Sequence, residues 1–122
     1  MSAFVQHLGA VSFASTDTTT VLSISKTVSA GNRIIVGGFY NVAIGTPSCA
    51  DNLGNTYTLD DALGGEYASN HPLVTFSAPV TTGGTLTTIT MTQPSSVYRA
   101  LTAGEFSGVG AFSASGHNAG FA

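Results

Sequence analysis

The sequence predicts an all-β chain, folded as one antiparallel β-sandwich of about eight strands with an extended, flexible C-terminal tail. Three observations carry that expectation. Thr, Val, Ile, Tyr and Phe recur throughout, and such side chains suit a pleated, half-buried surface. Gly, Asn, Asp and Pro punctuate the chain at short intervals, as turns between short strands do. No window shows the 3.6-residue periodicity of an amphipathic helix. A length of 122 residues with 43% hydrophobic content suits a single domain able to support its own core. The division expected is a β-sandwich over 1–107 and a small-residue tail over 108–122.

The elements follow in order. Phe4 to Ala14 is the first strand. Thr19 to Val28 is the second, where Leu22, Ile24 and Val28 alternate with Ser23, Ser25 and Thr27, one face buried and one wet. Ser29-Ala30-Gly31-Asn32 turns the chain into Arg33 to Tyr40, whose Ile34-Ile35-Val36 core marks a central strand. Gly37-Gly38 within it signals a bulge or a close backbone approach. A short strand after Pro47 runs into Asp51, and Asn52-Leu53-Gly54-Asn55 is a turn by its chemistry. Thr56 to Leu59 returns as a strand, and Asp60 to Asn70 reads as loop. Pro72 to Ala78 is a strand, Thr82-Gly83-Gly84 a turn, and Thr85 to Gln93 a strand ended by Pro94-Ser95-Ser96. Val97 to Ser107 is the last long strand. Beyond it, GVGAFSASGHNAGFA offers Phe112 and Phe121 as its only large anchors.

Composition narrows the function classes. Only 7% of residues are charged, against about 25% in an average domain. Hydroxyls and glycines fill the difference, a surface suited to lying against neighbours. The net charge is −3, and Lys26, Arg33 and Arg99 are the only Lys and Arg side chains. Three scattered cations cannot track a phosphate backbone or hold an anionic membrane, so neither nucleic acid nor membrane is expected as a partner. Cys49 stands alone, which excludes an internal disulfide. The stretch MSAFVQHLGAVSFAS lacks the basic and long apolar regions of a secretory signal. Synthesis in the cytosol with an extracellular-looking composition fits a virion component.

Candidate sites divide into turns, buried charges and a tail. Asp51, Asp60, Asp61 and Glu66 cluster, four of six acids, yet their spacing does not match a calcium loop. A turn followed by a solvated loop is the expectation, with Asp51, Gly54, Asn55 and Tyr57 as the turn residues. His7, His71 and His117 are too dispersed for a structural zinc site. No nucleophile elbow or other local catalytic pattern is present, so no enzyme activity, catalytic residue, metal or cofactor is expected. Glu105 shares strand parity with Leu101 and Ala103. If that face is buried, the carboxylate needs a partner, and Arg99 and Arg33 are the ion-pair candidates, with Lys26 a third. Tyr40, Tyr57, Tyr67 and Tyr98 could supply a sugar-stacking platform, although no Trp accompanies them.

Three pieces in order carry a family resemblance. Ser29-Ala30-Gly31-Asn32-Arg33-Ile34-Ile35-Val36 is similar to an AGN/D turn and strand. Asp51-Asn52-Leu53-Gly54-Asn55-Thr56-Tyr57 is similar to a D-x-x-GN-[ST]-[YW] hairpin. Ala103-Gly104-Glu105-Phe106-Ser107-Gly108-Val109 is similar to an E-[FY]-SG-V strand end. Over about residues 9–112 the chain resembles the Ig-like or jelly-roll β domains of phage virion proteins, including capsid decoration and tail or fibre components. The resemblance implies a non-enzymatic structural protein of the virion, assembled in the host cytoplasm. Its partners would be the major capsid protein or other virion proteins, and it would be homo-oligomeric. A carbohydrate- or surface-binding module of a fibre or bacterial adhesin is the alternative. Longer relatives of this type carry further strands after the E-[FY]-SG-V segment. A domain without them exposes a strand edge, and the N-terminal segment or the Gly108 to Ala122 tail, with Phe112 and Phe121, is expected to pair with a neighbouring subunit.

Overall fold

The computed structural model describes residues 2–42, 45–63 and 72–110. Among them are six strands and no helix: β1 (Ala3–Val28), β2 (Arg33–Tyr40), β3 (Ser48–Asp51), β4 (Thr58–Leu63), β5 (Leu73–Pro79) and β6 (Gly84–Ser107). All pairings are antiparallel within one sheet of order β1-β6-β2-β5-β4, with β3 also on β6. The all-β antiparallel expectation therefore holds. The strand count is corrected from about eight to six, and the strands form one continuous sheet.

Both corrections come from the same pair of elements. Phe4–Ala14 and Thr19–Val28 are one 26-residue strand, and Thr85–Gln93 and Val97–Ser107 lie in one 24-residue strand. The breaks expected between them are bulges. Thr19 faces Thr92 while Asp17 faces Ser96, so Gln93, Pro94 and Ser95 stand against Thr18 alone and β6 carries two surplus residues. A bulge frees residues from the ladder and bends the strand. Proline, which has no N–H to give, is tolerated there for that reason. A sequence reading sees a proline and ends the strand; the ladder resumes on its far side.

The bend folds the sheet over itself. Gln6 Nε2 donates to Thr27 O at 2.8 Å, and Lys26 Nζ donates to His7 O, so the two ends of β1 lie together. A Cβ placed on Gly9 would lie 3.2 Å from Leu22 Cδ1, and one on Gly38 only 2.7 Å from Met91 Sδ. The Gly37-Gly38 pair is thus a close approach, and its second member is the one that requires glycine. Between the overlapping halves lies a single core. Leu22, Leu86, Ile89 and Met91 come from one half; Ile34, Val36, Val74, Phe76 and Leu101 come from the other, all at most 2% exposed. Each such side chain contributes roughly 1.5–3 kcal/mol on burial.

The remaining elements sit close to expectation. Arg33–Tyr40 pairs with β5 and with the C-terminal half of β6, hence its burial on both sides. β4 spans Thr58–Leu63, so Asp60 and Asp61 belong to a strand and not to a loop; residues 64–71, with Glu66, Tyr67 and His71, lie outside the described residues. Asp51–Tyr57 does not join a hairpin, because β3 pairs with β6 while β4 pairs with β5. It is a crossover from one half of the folded sheet to the other. Gly108–Gly110 continue without strand structure, and residues 111–122, including Phe112, His117 and Phe121, lie outside the described residues.

Candidate functional site

Most of the polar side chains that the fold buries, Arg33 and Ser77 excepted, gather at three places where the chain changes layer. The first is Asp51. Its Oδ1 accepts from the N–H of Leu53 at 2.8 Å and of Asn55 at 3.2 Å. Its Oδ2 accepts from Asn55 Nδ2 at 3.0 Å and Tyr57 Oη at 2.8 Å. Asn55 then passes the connection on, its Oδ1 accepting from the N–H groups of Thr81 at 3.0 Å and Thr82 at 3.3 Å. Asn52 does the same with Thr87 and Thr88, at 2.7 and 3.2 Å. Gly54 adopts φ +79°, a backbone that a side chain would strain. The Asp-Asn-Gly-Asn run therefore staples the β3–β4 crossover to the start of β6. Burial, and then the Asp51 charge beside it, raises the Tyr57 hydroxyl far above its ordinary range. The same two causes raise the Cys49 thiol to about 12, so at neutral pH it is an inert thiol.

The second place is Glu105, 1% exposed. Its Oε1 accepts from Gln6 Nε2 at 2.8 Å, and its Oε2 from the Ser29 N–H at 2.9 Å and Asn32 Nδ2 at 2.8 Å. Burial pushes this carboxyl upward, but the three donors outweigh it and hold it below its ordinary value. The expected ion pair is replaced by these neutral donors. Arg99 shares parity with Glu105 but stands six residues along β6, about 20 Å away in an extended strand. Arg33 faces Phe106 across the ladder, which turns it to the opposite face. Two of the three sequence pieces meet here, since the Ser29–Asn32 turn caps the Glu105 strand.

Arg99 makes the third place, at the bend itself. It is 4% exposed, and its Nε and Nη2 donate to Ser15 O at 3.0 and 2.8 Å. Its Nη1 donates to Thr19 O and, at 3.4 Å, to Thr20 Oγ1. The guanidinium also lies 4.8 Å from the centre of the Phe13 ring. Gln93, in the β6 bulge, receives Thr20 Oγ1 at 3.0 Å and donates to Asp17 O at 3.0 Å. Five guanidinium donors on one rigid fork suit a stretch of bulged carbonyls that the ladder leaves unpaired.

A different kind of surface covers the outside of the larger half of the sheet. Arg33, Ile35, Gly37 and Phe39 of β2 run down its centre, flanked by Phe106, Gly104, Thr102 and Ala100 of β6 and by Thr75 and Leu73 of β5. A hollow of about 400 Å³ is floored by Gly37, Ala100 and Thr102, and a second of about 260 Å³ lies between it and Phe4. Phe4 and Phe106 stack edge to face, with ring centres 5.4 Å apart. Large apolar groups remain open to solvent on or beside this face: Phe4 at 61%, Leu73 at 54% and Tyr98 at 57%. At its far end Arg33 Nε and Ser77 Oγ are buried with no hydrogen-bond partner among the described residues.

Of the tyrosines proposed as a platform, Tyr40 is fully buried and Tyr57 is bound to Asp51, which leaves Tyr98 among the described residues. No group of three His, Cys, Asp or Glu side chains converges among the described residues. Sequence reasoning picked out Asp51, Asn55, Arg99 and Glu105, and read Asn52 as part of the turn without its bonds to Thr87 and Thr88, but missed Gln6, Gln93 and the Gly37 hollow. Nothing in the sequence ties Gln6 to a partner 99 positions away. No family model, curated protein or solved structure matches this chain.

Proposed function

We propose that the protein is a non-enzymatic structural subunit of a phage virion, decorating or cementing the capsid surface, with an Ig-like or jelly-roll sandwich as its parent topology. The observation that supports this reading most is the pairing of a frame whose Asp51, Glu105 and Arg99 are hydrogen-bonded within the chain with a face that presents Phe4, Leu73 and Tyr98 to solvent. Exposed apolar patches mark interaction sites. Asp51, Glu105 and Arg99 are engaged in joining layers, which leaves the outer face, the strand edges and the segment carrying Phe112 and Phe121 for contact with the major capsid protein or other virion proteins. Many copies on a symmetric lattice hold firmly through individually modest contacts.

The test is incorporation. Epitope-tagged protein expressed during particle assembly should co-purify with intact virions at a fixed stoichiometry and appear as repeating density by electron microscopy. Protein that stays wholly in the free fraction would refute the reading.

A further inference from the structure

A β protein can associate through its edges or through its faces. The edges of this sheet are guarded. Among the described residues β1 is an edge along its whole length, interrupted by five register shifts; β4, at the opposite edge, carries Asp60 and Asp61, and β3, the edge of the other half, is only four residues long. Bulges and charges are the devices that stop edge-to-edge pairing. The outer face has no such guard. β2 and the C-terminal half of β6 put no acidic side chain on it; Asp60, beside Arg33 and Ile35, and Asp61, opposite Thr75, stand at its β4 margin, so two copies meeting over β2 and β6 bring no acidic side chains together there. Val109 and Gly110 lie beside Ile35, Thr75 and Ser77 at the Arg33 end. Five strands about 4.8 Å apart, with roughly six residues of each left open, offer about 500 Å² per copy, or about 1,000 Å² in a pair, the least that a specific interface needs. The relief is also self-complementary: a Phe4–Phe106 ridge stands about four residues along β6 from the Gly37 hollow. A twofold axis between ridge and hollow would seat each ridge in the other copy's hollow, the reciprocal contact that such symmetry demands.

We propose that this face is a homodimer interface, in which the Phe4–Phe106 ridge of one copy enters the hollow over Gly37, Ala100 and Thr102 of the other. The inference rests on the assembly reading above and names its partner as a second copy of this chain.

Sedimentation equilibrium of the full chain tests it. Near 10⁻⁴ M, a concentration that populates weak dimers, the wild type should sediment as a dimer. Thr102→Glu puts a charge in the hollow, and Gly37→Leu fills it. A Cβ at Gly37 would lie 3.4 Å from Thr102 Cγ2, so the fold accommodates the first atom of the side chain, and the rest extends into the hollow. Each substitution should weaken association at least tenfold while the circular dichroism spectrum stays native. Ser23→Glu, exposed on the other half of β1, should leave the dimer intact. A wild type that is monomeric at that concentration overturns the proposal. So does a dimer that survives both substitutions, whether through an edge or through residues 111–122. Virion incorporation is scored separately: a dimer that never enters particles refutes the virion reading and leaves this interface standing.

Discussion

Glu105→Ala is the sharpest perturbation the structure offers. The wild-type carboxylate accepts three hydrogen bonds in a site 1% exposed. Hydrogen bonds to a charged group contribute roughly 1.5–3 kcal/mol each, about 4–9 kcal/mol before any relief. The relief is real, because Ser29 is exposed and Gln6 and Asn32 are only half buried, so water can reach those donors once the carboxylate is gone. A net loss of about 3–4 kcal/mol follows, a large part of the roughly 5–15 kcal/mol that holds a domain of this size. Glu105→Gln keeps the volume and one acceptor oxygen but turns an N–H₂ toward a donor, so about 1–2 kcal/mol is expected.

Urea denaturation followed by circular dichroism measures both losses, and pH separates the charge from the shape. The folded carboxyl lies below its ordinary 4.5. A group depressed in this way lends stability that is complete above the unfolded value and is lost as pH falls through the folded one. The gap between wild type and Glu105→Gln should therefore be level between about pH 7 and pH 5 and should shrink toward pH 3. A Glu105→Ala loss under about 1 kcal/mol, or a gap that stays constant down to that acidity, would refute the account of Glu105 as a charged hub.

Three further outcomes follow from the same geometry. Asp51→Ala releases four donors and should lower stability by about 2–4 kcal/mol, read by the same denaturation curves, with protease cutting first appearing near the β3–β4 crossover. Arg99→Met removes the donors that hold Ser15 and Thr19; it should lose about 2–4 kcal/mol, and Arg99→Lys should recover less than half of that, because an ammonium cannot reproduce the fork. Gly38→Ala places a Cβ 2.7 Å from Met91 Sδ and 3.0 Å from Val74 Cγ2, so an overpacking loss of about 1–3 kcal/mol is expected in thermal melts.

How much of this was legible depended on the range of the signal. Arg33–Tyr40 could be placed to the residue because three consecutive apolar side chains followed a glycine turn. Ser48–Asp51 was fixed by proline on one side and an Asx-rich turn on the other. Both signals are local. Pro94 misled for the complementary reason: its local meaning is a break, and only the unequal count opposite it on β1 shows that the break is a bulge. Parity put Glu105 on one face with Leu101 and Ala103, so that it would be buried only if that face was, and its partners come from Gln6 and the Ser29–Asn32 turn, far away in sequence. Parity also could not tell that Arg99, on the same face, serves a different place on the strand.

The positions of the three polar hubs follow from the way the sheet is built. A sheet that doubles back must bend its longest strands and carry connections from one layer to the other. Each such event strands backbone groups that a flat ladder would have paired. Arg99 collects the carbonyls of the bend in β1, Glu105 caps the turn that leaves it, and Asp51 gathers the N–H groups of the β3–β4 crossover. Their chemistry matches the orphans they serve: a cation where carbonyls are exposed, carboxylates where N–H groups are. Buried charge at these three places is a consequence of topology, and Arg33, at one end of the outer face, is the buried charge that stands apart from them.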